Sequence, residues 1–363
     1  MTGQPKTSLQ SFFDYCFANR LPFAFYRLPK EKKIKVIGQK RAKLKYLTPH
    51  EAEVSRGFIF APFHTEKRKS QILIEPDIVT DANNLPSLKF IHDKPMLVPA
   101  KEAIVKEANK AEFMALVNDI KGRIIAGDYE KIVAARVINK RKPLQFNSVK
   151  FYRKLCSRYA HAFVSLVYTH EHGLWIGASP EILVAVNDDG VSTYSLAGTK
   201  IRSNFPVTWG DKEQKEQKIV SDYVLKKLSA VATTSPSIHG PKTVVAGNLI
   251  HLRTTFKYAP SDGMTWNKVV EALHPTPAVA GLPQKKAVSF ILKNEKSSRN
   301  FYSGYLGPVN INQTTHLFVN LRCMQVMEKS LAIHVGCGIT AESNALDEWN
   351  ETKAKSQTLL DLF

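Results

Sequence analysis

The sequence predicts an α+β chain in which strands run as hairpins and helices interrupt them. Three observations carry this expectation. Short apolar runs bounded by turn residues recur along the chain, as at residues 57–61, 163–168 and 174–177. Helical apolar spacing appears between them, as in Phe113, Leu116, Val117, Ile120, Ile124 and Ile125. The two kinds of segment do not alternate in the regular way that a parallel βαβ sheet requires.

At 363 residues the chain is long enough to bury a sizeable core in one large domain or two ordinary ones. A boundary is expected near residue 100, between a strand-rich portion, 1–100, and a second region, 101–363, with the first portion read as part of the same domain. No apolar run approaches the roughly 20 residues needed to span a bilayer. The N-terminus, with Gln4, Pro5 and Lys6, lacks the apolar region of a signal peptide, so the expected location is cytoplasmic. Four cysteines without a CxxC spacing argue against zinc and against a disulfide framework. The net charge of +19 makes nucleic acid the first polyanion to consider, but the lysines are scattered and build no nucleic-acid-binding motif. Neither nucleic acid nor membrane is expected as a partner, and a basic surface equally serves a small dianionic substrate.

Taken in order, residues 11–20 are expected as a short helix and 23–26, 57–61 and 71–74 as strands, followed by loop at 81–88 and 93–95. A helix over 101–126 ends at Gly127-Asp128. Next comes an apolar strand over 130–138, with Lys131 at its entrance and Arg136 inside it. A lysine there is either a solvated strand end or a functional group. A hairpin over 163–177 turns at 170–173, and Ala178 to Val186 reads as one strand that Glu181 enters behind Pro180. A carboxylate entering a core needs backbone N–H partners or a proton, and burial would raise its pKa toward that of a general acid. A strand over 191–199, a helix from Glu213 to about residue 232 and strands at 242–245 and 250–256 follow. The proline- and glycine-rich stretch 273–283 is expected as a fixed loop, before a helix at 285–295 and strands at 302–309, 316–327 and 331–335.

Gly336-Cys337-Gly338-Ile339-Thr340 reads as a turn leading into an acidic helix. If that helix runs from Asp347, then Glu348, Glu351 and Lys355 share one face, while Leu346, Trp349, Leu359 and Leu360 serve the buried side. Glu213 and Glu216 repeat the i, i+3 carboxylate spacing on another helix. Two such pairs could close around a hard divalent cation, or each could be a solvated face on which Glu351 simply pairs Lys355.

Together these segments resemble the chorismate-utilising enzymes and, within them, the isochorismate synthases. The residues that carry the resemblance are Lys131-Ile132-Val133-Ala134-Ala135-Arg136, Gly177-Ala178-Ser179-Pro180-Glu181, Leu196-Ala197-Gly198-Thr199, the helix of Glu213 to Asp222, His274-Pro275-Thr276-Pro277-Ala278-Val279, Arg299-Asn300-Phe301-Tyr302-Ser303-Gly304, Leu321-Arg322-Cys323, and the stretch 336–355. They fall in the family's order across roughly residues 110 to 360. The resemblance implies two antiparallel sheets packed face to face with helices outside and an active site between them.

It also implies chemistry: a hydroxyl moves from C4 to C2 of the chorismate ring, with Lys131 as the base for the attacking water and Glu181 as the acid for the departing hydroxyl. Mg²⁺ is the implied cofactor, with Glu216 and Glu351 as ligands and Glu213 and Glu348 beside them. Arg322 and Lys355 match the positions that bind the other substrate carboxylate, and Thr199, His251, Ala278, Val279, Gly336 and Gly338 match the pocket lining. Lys131 and Ala197 stand where the ammonia-using and lysine-nucleophile branches carry other residues, so no obligate glutamine amidotransferase subunit is expected. Salicylate synthase, which follows isomerisation with pyruvate elimination, shares these features and is the alternative. An inactive basic anion- or nucleic-acid-binding protein on the same fold is the reading from a different class.

Overall fold

The computed structural model describes residues 7–64, 67, 69–87, 105–202, 207–246, 249–260 and 264–363. In chain order the elements are α1 (Leu9–Ala18), β1 (Phe23–Arg27), β2 (Lys35–Gly38), β3 (Lys45–Leu47), α2 (Pro49–Glu53), β4 (Gly57–Ala61), β5 (Gln71–Ile74) and β6 (Ile78–Asp81). Then come α3 (Lys110–Ile125), β7 (Lys131–Arg141), α4 (Ser148–Arg158), β8 (Phe163–Thr169), β9 (Gly173–Ser179), β10 (Ile182–Asn187), β11 (Gly190–Ile201), α5 (Asp211–Ser229), β12 (Ser237–Ala246) and β13 (Leu249–Tyr258). The chain finishes with α6 (Trp266–Leu273), β14 (Gly281–Leu282), α7 (Gln284–Asn294), β15 (Tyr305–Val309), β16 (Thr315–Val319), β17 (Cys323–Val326), β18 (Ser330–Ile339) and α8 (Ala345–Leu360).

Among the described residues the strands form two nine-stranded sheets, ordered β14-β7-β18-β17-β9-β8-β1-β2-β6 and β12-β13-β11-β10-β16-β15-β4-β5-β3. The pairings are antiparallel, as hairpin connections demand. Between the sheets lies an aromatic layer. Phe163 stacks on Phe318 at 4.2 Å and Phe60 on Phe301 at 3.8 Å, beside the buried Tyr26, Phe58 and Trp175. Each such side chain taken fully out of water contributes about 1.5–3 kcal/mol. On the outer face of the first sheet, Phe12 and Cys16 of α1 pack with Tyr152 and Leu155 of α4, and Val220-side residues of the second sheet's helices do the same opposite: Tyr223, Val224 and Leu228 of α5 meet Val269, Val270 and Leu273 of α6. The α+β architecture of face-packed antiparallel sheets with helices outside is therefore the one expected. Strands β1, β2 and β6 of the N-terminal portion lie in the first sheet, and β3, β4 and β5 in the second. The expected boundary near residue 100 and the loop at 93–95 lie outside the described residues.

Four expectations require correction. The single strand expected over 178–186 breaks at Pro180-Glu181, because the chain leaves the first sheet as β9 and enters the second as β10. The strand expected over 316–327 breaks likewise at Leu321-Arg322, between β16 and β17. The glycines at 336 and 338 mark no turn. They lie within β18, paired with Ala135 and Val133 of β7, and they are small because neighbours crowd them. A Cβ at Gly336 would meet Ala134 O and Tyr302 Oη at 2.9 Å, and one at Gly338 would overlap the Glu216 carboxylate and meet Lys131 Cε at 2.8 Å. Finally, α8 begins at Ala345, and its buried face carries Ala345, Glu348, Thr352, Ser356 and Leu359 while Leu346 is exposed. Apolar periodicity misleads there because the helix turns a polar stripe inward. Sequence reasoning also passed over β2, β3, β6, α2, α4 and α6, and the short β14 lies within the stretch expected as loop.

Candidate active site

The two sheet crossings lie side by side. Ala178 N–H donates to the Arg322 carbonyl at 3.1 Å, Val319 N–H donates to the Glu181 carbonyl at 3.0 Å, and the Ser179 hydroxyl donates to the Val319 carbonyl at 2.6 Å. Pro180 has no N–H to offer a ladder, which suits it to the position where pairing changes sheets. Arg322 takes the left-handed conformation, φ 49°, a strained choice for a side-chain-bearing residue that tight tertiary bonding must hold. Both side chains line one cleft, together with Thr199, Glu216, His251, Ala278, Val279, Tyr302, Gly336, Gly338 and Lys355.

The Glu181 side chain is buried, and among the described residues no hydrogen bond reaches its carboxylate. Burial raises its pKa to about 8, against the opposing positive charges of Lys131 and Lys355. It is thus a carboxylic acid at neutral pH, placed where a ligand would meet it. Arg322 is the opposite case: a buried guanidinium, among the described residues without a carboxylate at salt-bridge distance. Burial lowers its pKa to about 10, which leaves it cationic. Its Nη1 donates to Thr358 Oγ1 at 2.9 Å, and its Nη2 lies 3.2 Å from His251 Nε2. Guanidinium only donates, so His251 Nε2 must accept, and its Nδ1–H then points to the Gly198 carbonyl at 3.1 Å with Thr199 Oγ1 equally near. Burial and the charge of Arg322 hold this imidazole neutral, well below the usual range. A buried cation with neutral partners is a site prepared for an anion.

Below this lies an array of carboxylates and lysines from α5, α8 and β7. Lys131 pairs with Glu216 at 2.8 Å, Lys212 with Glu348 at 2.6 Å, Lys355 with Glu351 at 2.7 Å and Lys200 with Glu213 at 3.6 Å. Gly198 N–H, at the β11 irregularity with φ 69°, donates to Glu216 Oε2 at 3.1 Å, and Lys355 Nζ also donates to the Gly336 carbonyl at 2.8 Å. Glu213 closes the capping box of α5 by accepting from Gly210 N–H at 2.9 Å. Burial and the neighbouring Glu351 raise the pKa of Glu348, and Lys212 opposes them. Among the described residues its second oxygen is buried without a hydrogen-bond partner.

Among the described residues no three acidic, histidine or cysteine side chains converge as a metal cage, since each carboxylate is turned to a lysine. The donor chemistry nevertheless fits a hard divalent cation. All four groups offer oxygen, they come from two facing helices, and the orphaned oxygen of Glu348 calls for a positive neighbour.

Of the expected site residues, Glu181, Thr199, Glu216, His251, Ala278, Val279, Arg322, Gly336, Gly338 and Lys355 line the cleft. Lys131 lies fully buried beneath Gly338, while Glu213, Glu348 and Glu351 stand behind the lining in the ion-pair array. Val279 and Ala278 are held by the 274–283 loop, whose Ala280 carbonyl accepts from Val133 N–H at 2.8 Å and whose Val279 carbonyl accepts from Arg299. Sequence reasoning missed Tyr302 and His334, which stack at 5.3 Å and line the cleft, and Lys212. Tyr302 lay within a quoted motif and could have been named, whereas nothing in the spacing of Lys212 separates it from a solvated helix lysine.

Comparison with known proteins agrees with this geometry. The family profile described as chorismate binding enzyme matches residues 55–363. Isochorismate synthase DhbC of Bacillus subtilis is 31% identical over 254 residues, which cover 66% of this chain and 64% of that protein. Anthranilate synthase component 1 of Neisseria meningitidis is 27% identical over 271 residues, 70% of this chain and 54% of the relative. The matched stretches thus span less than two thirds of these relatives. In structure, MenF, the menaquinone-specific isochorismate synthase from Escherichia coli, superposes with a TM-score of 0.78 at 19% identity, covering 95% of this chain and 89% of that one. The profile match over most of the chain and the shared fold make this protein a member of the chorismate binding enzyme family.

Proposed function

We propose that the chain is a magnesium-dependent isochorismate synthase that converts chorismate to isochorismate reversibly, and that it does so as a soluble cytoplasmic enzyme without an amidotransferase subunit. The observation that carries this reading is the neutral acid Glu181 facing the same cleft as the carboxylate-free cation Arg322. A hydroxyl cannot leave C4 as hydroxide at neutral pH, and a carboxylic acid with a pKa near 8 supplies its proton as the C–O bond breaks. Lys131 is the base that takes a proton from the water attacking C2. Its side chain lies under Gly338, a cleft-lining residue at which a Cβ would come within 3.2 Å of Lys131 Nζ. Reversal exchanges these roles, with Glu181 as base toward C4 and Lys131 as acid toward C2.

Arg322, oriented by His251 and Thr358, binds one substrate carboxylate, and Lys355 reinforces it from α8. Glu216 and Glu351, with Glu213 and Glu348 beside them, would hold Mg²⁺ next to the ring carboxylate. The ion supplies charge neutralisation between that carboxylate and the acidic side chains. The DhbC relative, named an isochorismate synthase, supports the choice of product, as does Ala197 in place of a nucleophile. Incubation with chorismate and Mg²⁺, followed by chromatographic separation, tests the reading. Isochorismate alone is expected, salicylate with pyruvate would assign the elimination branch, and unchanged chorismate would reject an enzymatic role.

A further inference from the structure

We propose that Lys212 is the resident counter-cation of Glu348, so that a divalent cation enters the α5–α8 site by displacing an ammonium group rather than by filling an open cage. The proposal rests on the reading that the α5 and α8 carboxylates hold a metal. Lys212 Nζ donates to Glu348 Oε1 at 2.6 Å, and the charges of Glu351 and Glu216 act on the same ammonium. Three of the four candidate ligands therefore act on its charge, and Glu348 is in direct contact with it. Glu348 is fully buried and, among the described residues, its Oε2 has no hydrogen-bond partner, so even with Lys212 in place it retains an oxygen for a second positive group.

Helix electrostatics does not account for Lys212. It is the second residue of α5, at the end where the helix dipole favours acids, and Asp211 and Glu213 occupy the neighbouring positions. Tertiary pairing with Glu348 is what draws the side chain inward. Two of the four lysines in the array, Lys131 and Lys212, differ in their freedom to leave. Lys131 is 0% exposed and lies under Gly338 of β18, whereas the Lys212 side chain is 27% exposed in the first turn of α5. A metal approaching Glu348 can release Lys212 to water at small cost, because a lysine ammonium is strongly hydrated and its stem is flexible. Without that lysine the buried carboxylate would wait uncompensated, which is costly in a folded interior.

The test is titration calorimetry of the full chain with MgCl₂ alone, without chorismate, alongside thermal melts with and without Mg²⁺. Lys212→Met is expected to bind Mg²⁺ at least about 10-fold more tightly than the wild type, to melt lower without metal, and to gain more in Tm on adding Mg²⁺. Lys212→Arg keeps the charge and adds a fork that grips Glu348, so it is expected to weaken Mg²⁺ binding several-fold; it provides the test if the Met variant fails to fold. Equal or weaker Mg²⁺ affinity in Lys212→Met, or unaltered affinity in Lys212→Arg, overturns the displacement. Glu351→Gln separates the two readings. If it abolishes Mg²⁺ binding while the Lys212 variants match the wild type, the displacement alone is wrong; if it changes nothing, the metal site itself is wrong.

Discussion

Glu181 and Arg322 stand where two neighbouring strands pass from one sheet to the other, and each contributes its carbonyl to the bond that joins the crossings, accepting from Val319 N–H at 3.0 Å and from Ala178 N–H at 3.1 Å. The buried carboxyl of Glu181 and the buried guanidinium of Arg322 are thus fixed relative to each other by backbone bonds between the same two strands. Such bonds resist side-chain rearrangement, and they place the acid and the cation on a common wall with little conformational entropy left to lose when a ligand arrives.

Glu181 gives a pH dependence of defined sign. Its pKa rises from an ordinary 4.5 to about 8 because burial disfavours the carboxylate. The forward rate at saturating chorismate is expected to fall above pH 8, about tenfold per unit. Glu181→Gln should lower kcat by roughly 10²–10⁴ while KM changes little. Stability follows the same group. The folded chain holds this proton more tightly than the unfolded chain, so the contribution is fully present below pH 4.5 and is lost as pH rises through about 8, with a span of roughly 5 kcal/mol at most. Melting the wild type and Glu181→Gln side by side should show the variant gaining ground between pH 5 and 9; parallel curves would mean that the carboxyl is not held neutral.

Gly338→Ala tests the packing of the array. The new Cβ would press into the Glu216 carboxylate and against Lys131 Cε, and both are held, Glu216 by Gly198 N–H and Lys131 by its ion pair with Glu216 and the pairing of its backbone with β14. A loss of about 1–3 kcal/mol in stability and at least 100-fold in turnover is expected. Near-normal turnover would show that Lys131 and Glu216 can part without consequence.

Most of the fold was legible because the strands carry β-type apolar runs and the helices carry helical ones; β1, β4, β5, β8 and β13 fall almost where the pattern puts them. What could not be read was where one run serves two sheets. Residues 178–186 and 316–327 are continuous in composition, and only the sheet pairings reveal that Glu181 and Arg322 interrupt them. The same limit applies to Gly336 and Gly338. A glycine pair signals either a turn or close approach, and a single sequence does not contain the Glu216 and Tyr302 atoms that decide for close approach. The i, i+3 carboxylate pairs were visible, but their pairing with Lys131, Lys212 and Lys355 joins residues more than 80 positions apart in two of three cases.

Arg322→Lys is expected to act on binding rather than chemistry. The lysine would lose the fork that reaches Thr358 Oγ1 and His251 Nε2 together, and a carboxylate would meet one donor in place of two. Steady-state kinetics should show kcat/KM lower by roughly 10²–10³, mostly through KM, with kcat within about tenfold of the wild type. A fall confined to kcat would move Arg322 from substrate binding to the chemical step.

Charge balance couples the cation to the substrate. Glu213, Glu216, Glu348 and Glu351 face Lys200, Lys131, Lys212 and Lys355, so the array is neutral as it stands. A divalent cation that displaces the Lys212 ammonium still leaves this region with net positive charge, near the already cationic Arg322, and chorismate brings carboxylates that offset it. Each should therefore strengthen the binding of the other by the same factor, as linkage requires. Calorimetric titration of Mg²⁺ into the protein should give an affinity at least about 10-fold tighter with saturating product analogue or chorismate present, and chorismate affinity should rise equally with Mg²⁺. Glu216→Gln and Glu351→Gln should each remove turnover and this coupling while the fold, followed by circular dichroism, persists. Full activity after exhaustive chelation would end the metal assignment. Identical Mg²⁺ affinity with and without the dianion would instead leave the metal in place and show that the lysines, not the substrate, absorb its charge.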